Sequence, residues 1–272
     1  MAKMKPGVTG FIPRGSDPWA SLEKFAQIGY KGSEHSGIVF REGDPVENVK
    51  RVNDLGLQLL SIGTSVRNEV YPDVKELVRR VRIIGANRVG VSHTSATDWR
   101  FADRPELPEY DEIMREIGRI DKLSKELREE GITLTFHNHD QEFLTAYNGV
   151  PLFWLMASNC EYLKFVLDIG WVVYAGVDCA KLVRLLGNRV IELHVKDYTR
   201  GENYEYKPLR TVLVPRYTTP GTGLVDMEAV FKAAVEVGTE WAVIEQDMEY
   251  NLSREDAART AYYIMKETGY VE

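Results

Sequence analysis

One phrase recurs along the chain: an amphipathic stretch with apolar residues at helical spacing, a glycine, then a short β-branched run ending in polar residues. It occurs at Gly29 before YKGSEH, Gly56 before LQLLSIG, Gly85 before ANRVGVSH, Gly131 before ITLTFHNHD, Gly187 before NRVIELHVKD and Gly238 before TEWAVIEQD. Each glycine falls where a helix C-terminus favours a left-handed residue, a conformation glycine adopts without a Cβ clash. Asn159 ahead of CEYLKFVLDIG is read as a seventh such junction, and the opening run KPGVTGF completes eight strands. Helices are expected near 18–28, 44–55, 72–84, 109–130, 150–158, 178–186, 226–237 and 253–268. Asp17-Pro18, Asp44-Pro45, Pro72-Asp73 and Ser253 with Asp256 supply start signals. Eight β-α units without a linker or a shift in composition predict a single (β/α)8 barrel over 1–272. An open doubly wound sheet is the alternative, and it lacks the G-x-G-x-x-G turn expected after its first strand.

A barrel of this kind places its chemistry at the C-terminal strand ends. Here those ends read Glu34-His35, Ser61 with Thr64, His93, His137-Asn138-His139, Asp168, His194 with Lys196, and Glu245-Gln246-Asp247. All five histidines of the chain fall in that set. Side chains two apart share a strand face, so apolar Ile191, Leu193 and Val195 turn outward and leave Glu192, His194 and Lys196 inside. The same alternation turns Lys164, Val166 and Asp168 inward, with Glu245 beside Val243 and with His137 and His139. Lys164 and Glu192, deeper on neighbouring strands, are expected to form a buried pair that fills the barrel.

Asp168, His194 and Glu245 thus end three successive strands at one level. Carboxylates desolvated side by side repel and take up protons unless a cation neutralises them. One histidine with several carboxylates suits Mn²⁺ or Mg²⁺, with Co²⁺ or Zn²⁺ as alternatives.

Composition narrows the partners. The 34 Lys and Arg against 41 Asp and Glu give a net charge of −7, the wrong sign for a nucleic-acid or anionic-membrane surface. With 44% hydrophobic and 28% charged residues the chain reads as an ordinary globular protein. Cys160 and Cys179 have no metal or redox spacing and are read as reduced, buried residues. The N-terminal MAKMKPGVTGF has no leader-like apolar run, and the uncharged stretch 143–160 is too polar to span a membrane, so a cytoplasmic location is expected.

FHNHDQEF at 136–143, LDIGW at 167–171, HVKD at 194–197, the GTGLVD turn at 221–226 and VIEQD at 243–247 together resemble the xylose isomerase-like TIM-barrel superfamily, the sugar phosphate isomerases and epimerases. The resemblance runs over most of the chain. It implies one divalent metal, Mn²⁺ foremost, held by Glu142, Asp168, His194 and Glu245, with His137 as the substitute for Glu142. It further implies that Glu142 and Glu245 move protons on a keto-sugar chelated through its carbonyl and adjacent hydroxyl, so that a metal-stabilised enediolate links the isomers. Glu34, His93, His137, Trp171, Lys196 and Arg200 are expected to contact the carbohydrate.

Two positions depart from the epimerase pattern: Trp171 stands where a substrate-binding His is usual, and Asn148 where a second Glu is usual. Those departures raise the alternative of a lyase or dehydratase acting on an inosose or keto-glycoside through the same enolate. His139 or His137 would then serve the leaving group, as groups that exchange protons near neutral pH. Trp171 and the negative charge count against the endonuclease branch. The segment 198–224 far exceeds the two to six residues usual for a βα loop, and is expected to be a lid over the site or a homo-oligomer contact.

Overall fold

The structure is a computed structural model that describes residues 2–12, 15–67, 69–207, 209–246 and 252–272. Its strands are β1 (Lys5–Val8), β2 (Gly32–Ser33), β3 (Gln58–Leu59), β4 (Ile62–Thr64), β5 (Arg88–Val91), β6 (Thr133–His137), β7 (Ala146–Tyr147), β8 (Val150–Pro151), β9 (Lys164–Asp168), β10 (Val190–Val195), β11 (Asp197–Tyr206), β12 (Thr211–Thr218) and β13 (Trp241–Ile244). Nine of them pair in the order β3-β2-β1-β13-β10-β9-β6-β5-β4, and the registers of these pairings are parallel. The two ends of that ladder, β3 and β4, are separated in the chain by Leu60 and Ser61 alone. They are two halves of one interrupted strand, so the ladder closes on itself as a barrel of eight strands.

The helices are α1 (Pro18–Ile28), α2 (Pro45–Asp54), α3 (Val74–Ile83), α4 (Ser95–Arg100), α5 (Tyr110–Glu129), α6 (Gln141–Leu144), α7 (Leu152–Asn159), α8 (Ile169–Tyr174), α9 (Cys179–Leu186), α10 (Met227–Val237) and α11 (Arg254–Glu267). Eight of the eleven stand where the pattern predicts them. Asp17, Asp44, Asp73 and Ser253 each accept a hydrogen bond from a backbone N–H of the first turn, satisfying donors that a helix start leaves open. Gly238 closes α10 in the left-handed region at φ 86°. Asn159 does not: it is the last residue of α7, and its side-chain amide donates to the Leu155 carbonyl at 2.8 Å.

The three helices that the pattern misses, α4, α6 and α8, have six residues or fewer and follow directly on the strand ends of β5, β6 and β9. They are too short to show a 3.6-residue period. The segment beyond β10 is no irregular loop, because β11 and β12 form an antiparallel hairpin with Tyr198 opposite Tyr217.

Apolar residues of the helices and the outward strand faces make one large core between barrel and helix ring, while Leu60, Trp241 and Val243 form a separate plug inside the barrel floor. A Cβ on Gly32 would lie 2.5 Å from the Trp241 ring and one on Gly7 2.7 Å from Val243, so glycine is required where the plug fills the lumen. The expected pairing of Lys164 with Glu192 is not formed. Lys164 lies at the open rim at the start of β9, where its ammonium donates to the Asn188 carbonyl at 3.2 Å. Arg88 of β5 takes the place beside Glu192 instead, with Nη1 at 2.9 Å from Oε2, and its other arm reaches Glu240. Cys160 and Cys179 are buried and free. Among the described residues no helix is long and apolar enough to cross a membrane.

Candidate active site

Four neighbouring strands, β6, β9, β10 and β13, deliver His137, Asp168, His194 and Glu245 to one spot at the C-terminal end of the barrel. His194 lies level with Asp168 on one side and Val243 on the other, and Glu245 stands two residues above Val243 on the same inward face. One ligand-type atom from each of the four comes within 4.8 Å of all the others. Asp168 is aimed by its neighbours. Its Oδ1 caps α8 by accepting from the Trp171 N–H at 3.0 Å, and the Asn138 side chain accepts from its backbone N–H at 3.0 Å. Its Oδ2 is left toward the cluster, 3.2 Å from Lys196 Nζ and 3.9 Å from His137 Nε2.

Electrically the cluster is tightly balanced. The Lys196 ammonium, 3% exposed, lies within 3.5 Å of Glu245 as well as against Asp168, and beneath the rings of Trp171 and Tyr217. Burial pushes Asp168 up to about 7 against the pull of Lys196. Burial pushes Glu245 the same way, but Lys196 and His194 more than reverse it and hold that carboxyl well below its usual range. His194 has Glu245 at 2.9 Å on Nδ1 and Glu34 at 2.8 Å on Nε2; these acids outweigh burial and raise it well above the usual imidazole value. His137 and His139 go the other way, lowered by burial and then by the neighbouring His194 and His93 respectively. They are neutral rings.

Glu142 is not in the cluster. Its oxygens accept from the Thr94 hydroxyl at 3.1 Å, the Thr97 hydroxyl at 2.7 Å and the His139 N–H at 2.6 Å, so the carboxylate fastens the loop after β6 to α4. It lies one helical turn past the strand end and is fully buried, away from the lumen. His137, the inward residue of β6, occupies the place expected for it. The four side chains fit a divalent cation: two imidazoles and two carboxylates converge, and Asp168 Oδ2 accepts no hydrogen bond although it is buried.

Above the cluster opens a cavity of about 560 Å³. Glu34, His93, His137, His139, Trp171, His194 and Glu245 line it. Lys196 does not reach its wall and stays under Trp171 as the counter-charge of the acids. Arg200 does not reach it either. It is exposed, on the stretch where the β11–β12 register slips between Thr199 and Glu202. His35 stands apart from the other four histidines, bonded to Ser33 at 2.8 Å and stacked on Phe25. Asp247 lies outside the described residues.

The hairpin roofs the cavity. Glu205, Lys207 and Tyr217 line it from above and Phe101 from the α4 side. Arg100 bonds the hairpin at the Leu213 carbonyl and Arg210 bonds the Pro105 carbonyl at 2.8 Å, tying hairpin and α4 loop together. None of these side chains carries a strand-end signal. Asn138, Thr94 and Thr97 were likewise unmarked as supports, because hydroxyl and amide partners depend on tertiary placement alone.

Residues 22–268 match the sequence profile of the xylose isomerase-like TIM barrel. The chain belongs to that family. Over 265 residues it is 24% identical to an inosose dehydratase of Clostridium perfringens, a match that covers 91% of this chain and 89% of the relative. Solved structures of similar fold include a sugar phosphate isomerase/epimerase from Parabacteroides distasonis, with TM-score 0.70 and 16% identity over the whole of both chains. A probable 3-DHS dehydratase from Bacillus anthracis superposes with TM-score 0.72 and 11% identity over 97% of this chain and 98% of that one. The family is one of enzymes, with isomerases, epimerases and dehydratases among the relatives.

Proposed function

We propose that this protein is a divalent-metal-dependent lyase that eliminates a group β to the carbonyl of a keto-polyol or keto-sugar. The observation that carries this reading is the engagement of Glu142 by Thr94, Thr97 and the His139 N–H, which withdraws the second glutamate a paired-glutamate epimerase would use. In its place the cavity wall offers imidazoles, the His139 ring centroid lying 4.9 Å from those of both His93 and His137. Similarity to inosose dehydratases along most of the chain supports the same class.

His137, Asp168, His194 and Glu245 would hold the cation, which supplies positive charge to polarise the substrate carbonyl and to stabilise the charge that develops on its oxygen. Exchanging a glutamate for His137 softens the donor set, which favours Mn²⁺, Co²⁺ or Zn²⁺ over Mg²⁺. Glu245, kept ionised by Lys196 and His194, takes the proton from the carbon beside the carbonyl. The electron pair of that C–H bond becomes the new C=C bond and the β C–O bond breaks. The departing oxygen takes its proton from the N–H of the neutral His139 ring as His93, at the more open side, passes that ring a proton from solvent, so water or an alcohol leaves, and Glu245 returns the proton it took to solvent. Trp171 and Phe101 close the site above the ring and keep bulk water from the charged intermediate.

A second reading has a specific support: Glu34 and Glu245 both line the cavity on opposite sides of His194, so an isomerase or epimerase could pass a proton between them. Incubation of keto-sugars, inososes and keto-glycosides with Mn²⁺-loaded protein in D₂O separates the two. A lyase product is lighter by water or an aglycone, while an isomer keeps the substrate mass apart from deuterium. We expect the first, and His139→Ala to stop elimination while metal content and α-deuterium exchange persist. Mass-conserving turnover that survives His139→Ala would replace the lyase by the isomerase.

A further inference from the structure

His194 is held from two sides, and the second side is the more informative. Its Nδ1 faces Glu245 and the cation cluster, while its Nε2 faces away from the cluster, 2.8 Å from Glu34 Oε2 and 3.5 Å from Glu192 Oε1. In the sheet β2 and β10 are separated by β1 and β13, so Glu34 reaches its partner from a distant part of the barrel wall. It is fixed there independently of His194. Its N–H bonds the Val8 carbonyl at 3.2 Å and its Oε1 accepts from the Ser61 hydroxyl at 3.2 Å. Glu192 is fixed by Arg88. Both contacts to Nε2 are ionic ones, off the line of a straight hydrogen bond.

We infer that Glu34 is a positioning residue that fixes the His194 ring with its proton on Nε2 and its Nδ1 lone pair toward the divalent cation. Nδ1 is hydrogen-bonded with Glu245 at 2.9 Å, but that acid is one of the residues that would hold the cation, and once it turns to the cation Nδ1 keeps no acceptor while Nε2 keeps Glu34. An ionised carboxylate only accepts, so the proton stays on Nε2 and Nδ1 is left as the donor to the metal. A carboxylate behind a metal-bound imidazole orients the ring and strengthens it as a ligand, an effect usually worth about 10- to 100-fold in metal affinity. The inference rests on the cation-site reading above and is independent of the reaction catalysed. It also assigns Glu34 a part other than substrate contact or proton transfer: a glutamate that only touched substrate would leave metal affinity unchanged.

The experiment titrates Mn²⁺ alone into wild type, Glu34→Ala and Glu34→Gln, with free Mn²⁺ read by electron paramagnetic resonance and folding checked by urea midpoint. Glu34→Ala is expected to raise the Kd about 10- to 100-fold. Glu34→Gln, which keeps an oxygen acceptor, is expected to recover most of that loss. A ¹⁵N-histidine spectrum of wild type loaded with diamagnetic Zn²⁺ needs no variant, and is expected to place the His194 proton on Nε2. An unchanged Kd in folded Glu34→Ala, or a proton on Nδ1, overturns the inference and leaves the cation site standing. Absence of Mn²⁺ and Zn²⁺ binding by wild type overturns both.

Discussion

The floor and the mouth of the barrel both bury charge, and they do so in opposite ways. At the floor one guanidinium lies between two acids, Arg88 between Glu192 and Glu240, and the lumen beside it is packed solid with Trp241, Leu60 and Val243 against glycine backbone. At the mouth Lys196 lies between Asp168 and Glu245, but above them a cavity of about 560 Å³ is left, and His137 Nδ1, His139 Nδ1 and Asp168 Oδ2 are buried without hydrogen-bond partners. The first arrangement has no cavity above it and leaves one polar atom of its acids, Glu192 Oε1, without a hydrogen-bond partner, 3.5 Å from His194. The second is complete only with something added, and this difference, rather than the presence of buried charge, distinguishes a site from filler.

The largest effect expected from this contrast is at the mouth. Asp168→Asn should cost about 10³-fold or more in turnover and remove bound metal, because the amide offers a weaker ligand and no charge to the cation. The fold should lose little stability, since the desolvated carboxyl it replaces is itself held up at about 7. Turnover, metal analysis and urea midpoints measured on one preparation check this. A drop in urea midpoint as large as that of a floor variant would erase the distinction.

At the floor, Arg88→Met should strip Glu192 of its guanidinium, leaving it only His194 at 3.5 Å, and cost about 3–5 kcal/mol of stability, with Mn²⁺ affinity little changed because Glu34 still holds that ring. Adding Glu192→Gln should return much of that loss, since the uncompensated charge is then gone. Denaturant unfolding of the two variants checks both numbers. Loss of metal from Arg88→Met without loss of stability would place the floor charges in the site.

Glu142 tests the boundary between the two regions, because it is a buried acid close to the mouth with all its partners supplied by the protein. Burial pushes it up to about 7, against hydrogen bonds from His139, Thr97 and Thr94. A folded-state value above the unfolded one means that the native state binds the proton more tightly, so the stabilisation is present at low pH and is lost as pH rises through about 7. A shift of that size is worth roughly 3 kcal/mol between pH 4 and 8. Glu142→Gln removes the titration, so its stability relative to wild type should rise across that range while Mn²⁺ still binds. A flat difference, or loss of metal in the variant, would return Glu142 to the ligand set.

How much of this was legible in the sequence depended on whether the signal was periodic. The eight long helices and the inward faces of β9, β10 and β13 follow from apolar spacing, and they bring Asp168, His194 and Glu245 together. His137 is read from the same alternation, yet the match of HNHDQEF to the family pattern pointed past it to Glu142. In the folded chain α6 turns that residue onto Thr94 and Thr97. Strand alternation also put Lys164 and Glu192 on one face but could not tell a lysine at the rim from one inside the lumen. Arg88, 104 residues away in the chain, had no local mark at all as the partner of Glu192. The β11–β12 hairpin went unseen because its register slips between Thr199 and Glu202, which breaks the alternation that betrays a strand.

The smallest expected effect separates the two cationic side chains of that hairpin. Arg200 is exposed at the register slip, whereas Lys207 lines the cavity beside Glu205 at 2.9 Å and above the Phe101 ring. An exposed side chain without such partners contributes within about 0.5 kcal/mol to stability, and one that reaches no substrate contributes nothing to binding. Arg200→Ala should therefore leave both the urea midpoint and kcat/KM within about twofold of wild type, by the factor of ten per 1.4 kcal/mol. Lys207→Ala, removing a cation from the wall that faces the substrate, should raise KM with kcat nearly unchanged, since the contact is present before and during the reaction alike. Steady-state kinetics on whichever keto-substrate the mass screen identifies decides between them. If Arg200→Ala raised KM and Lys207→Ala did not, the hairpin would close over substrate by its bulged segment, and the roof of the site would have to be redrawn around Arg200.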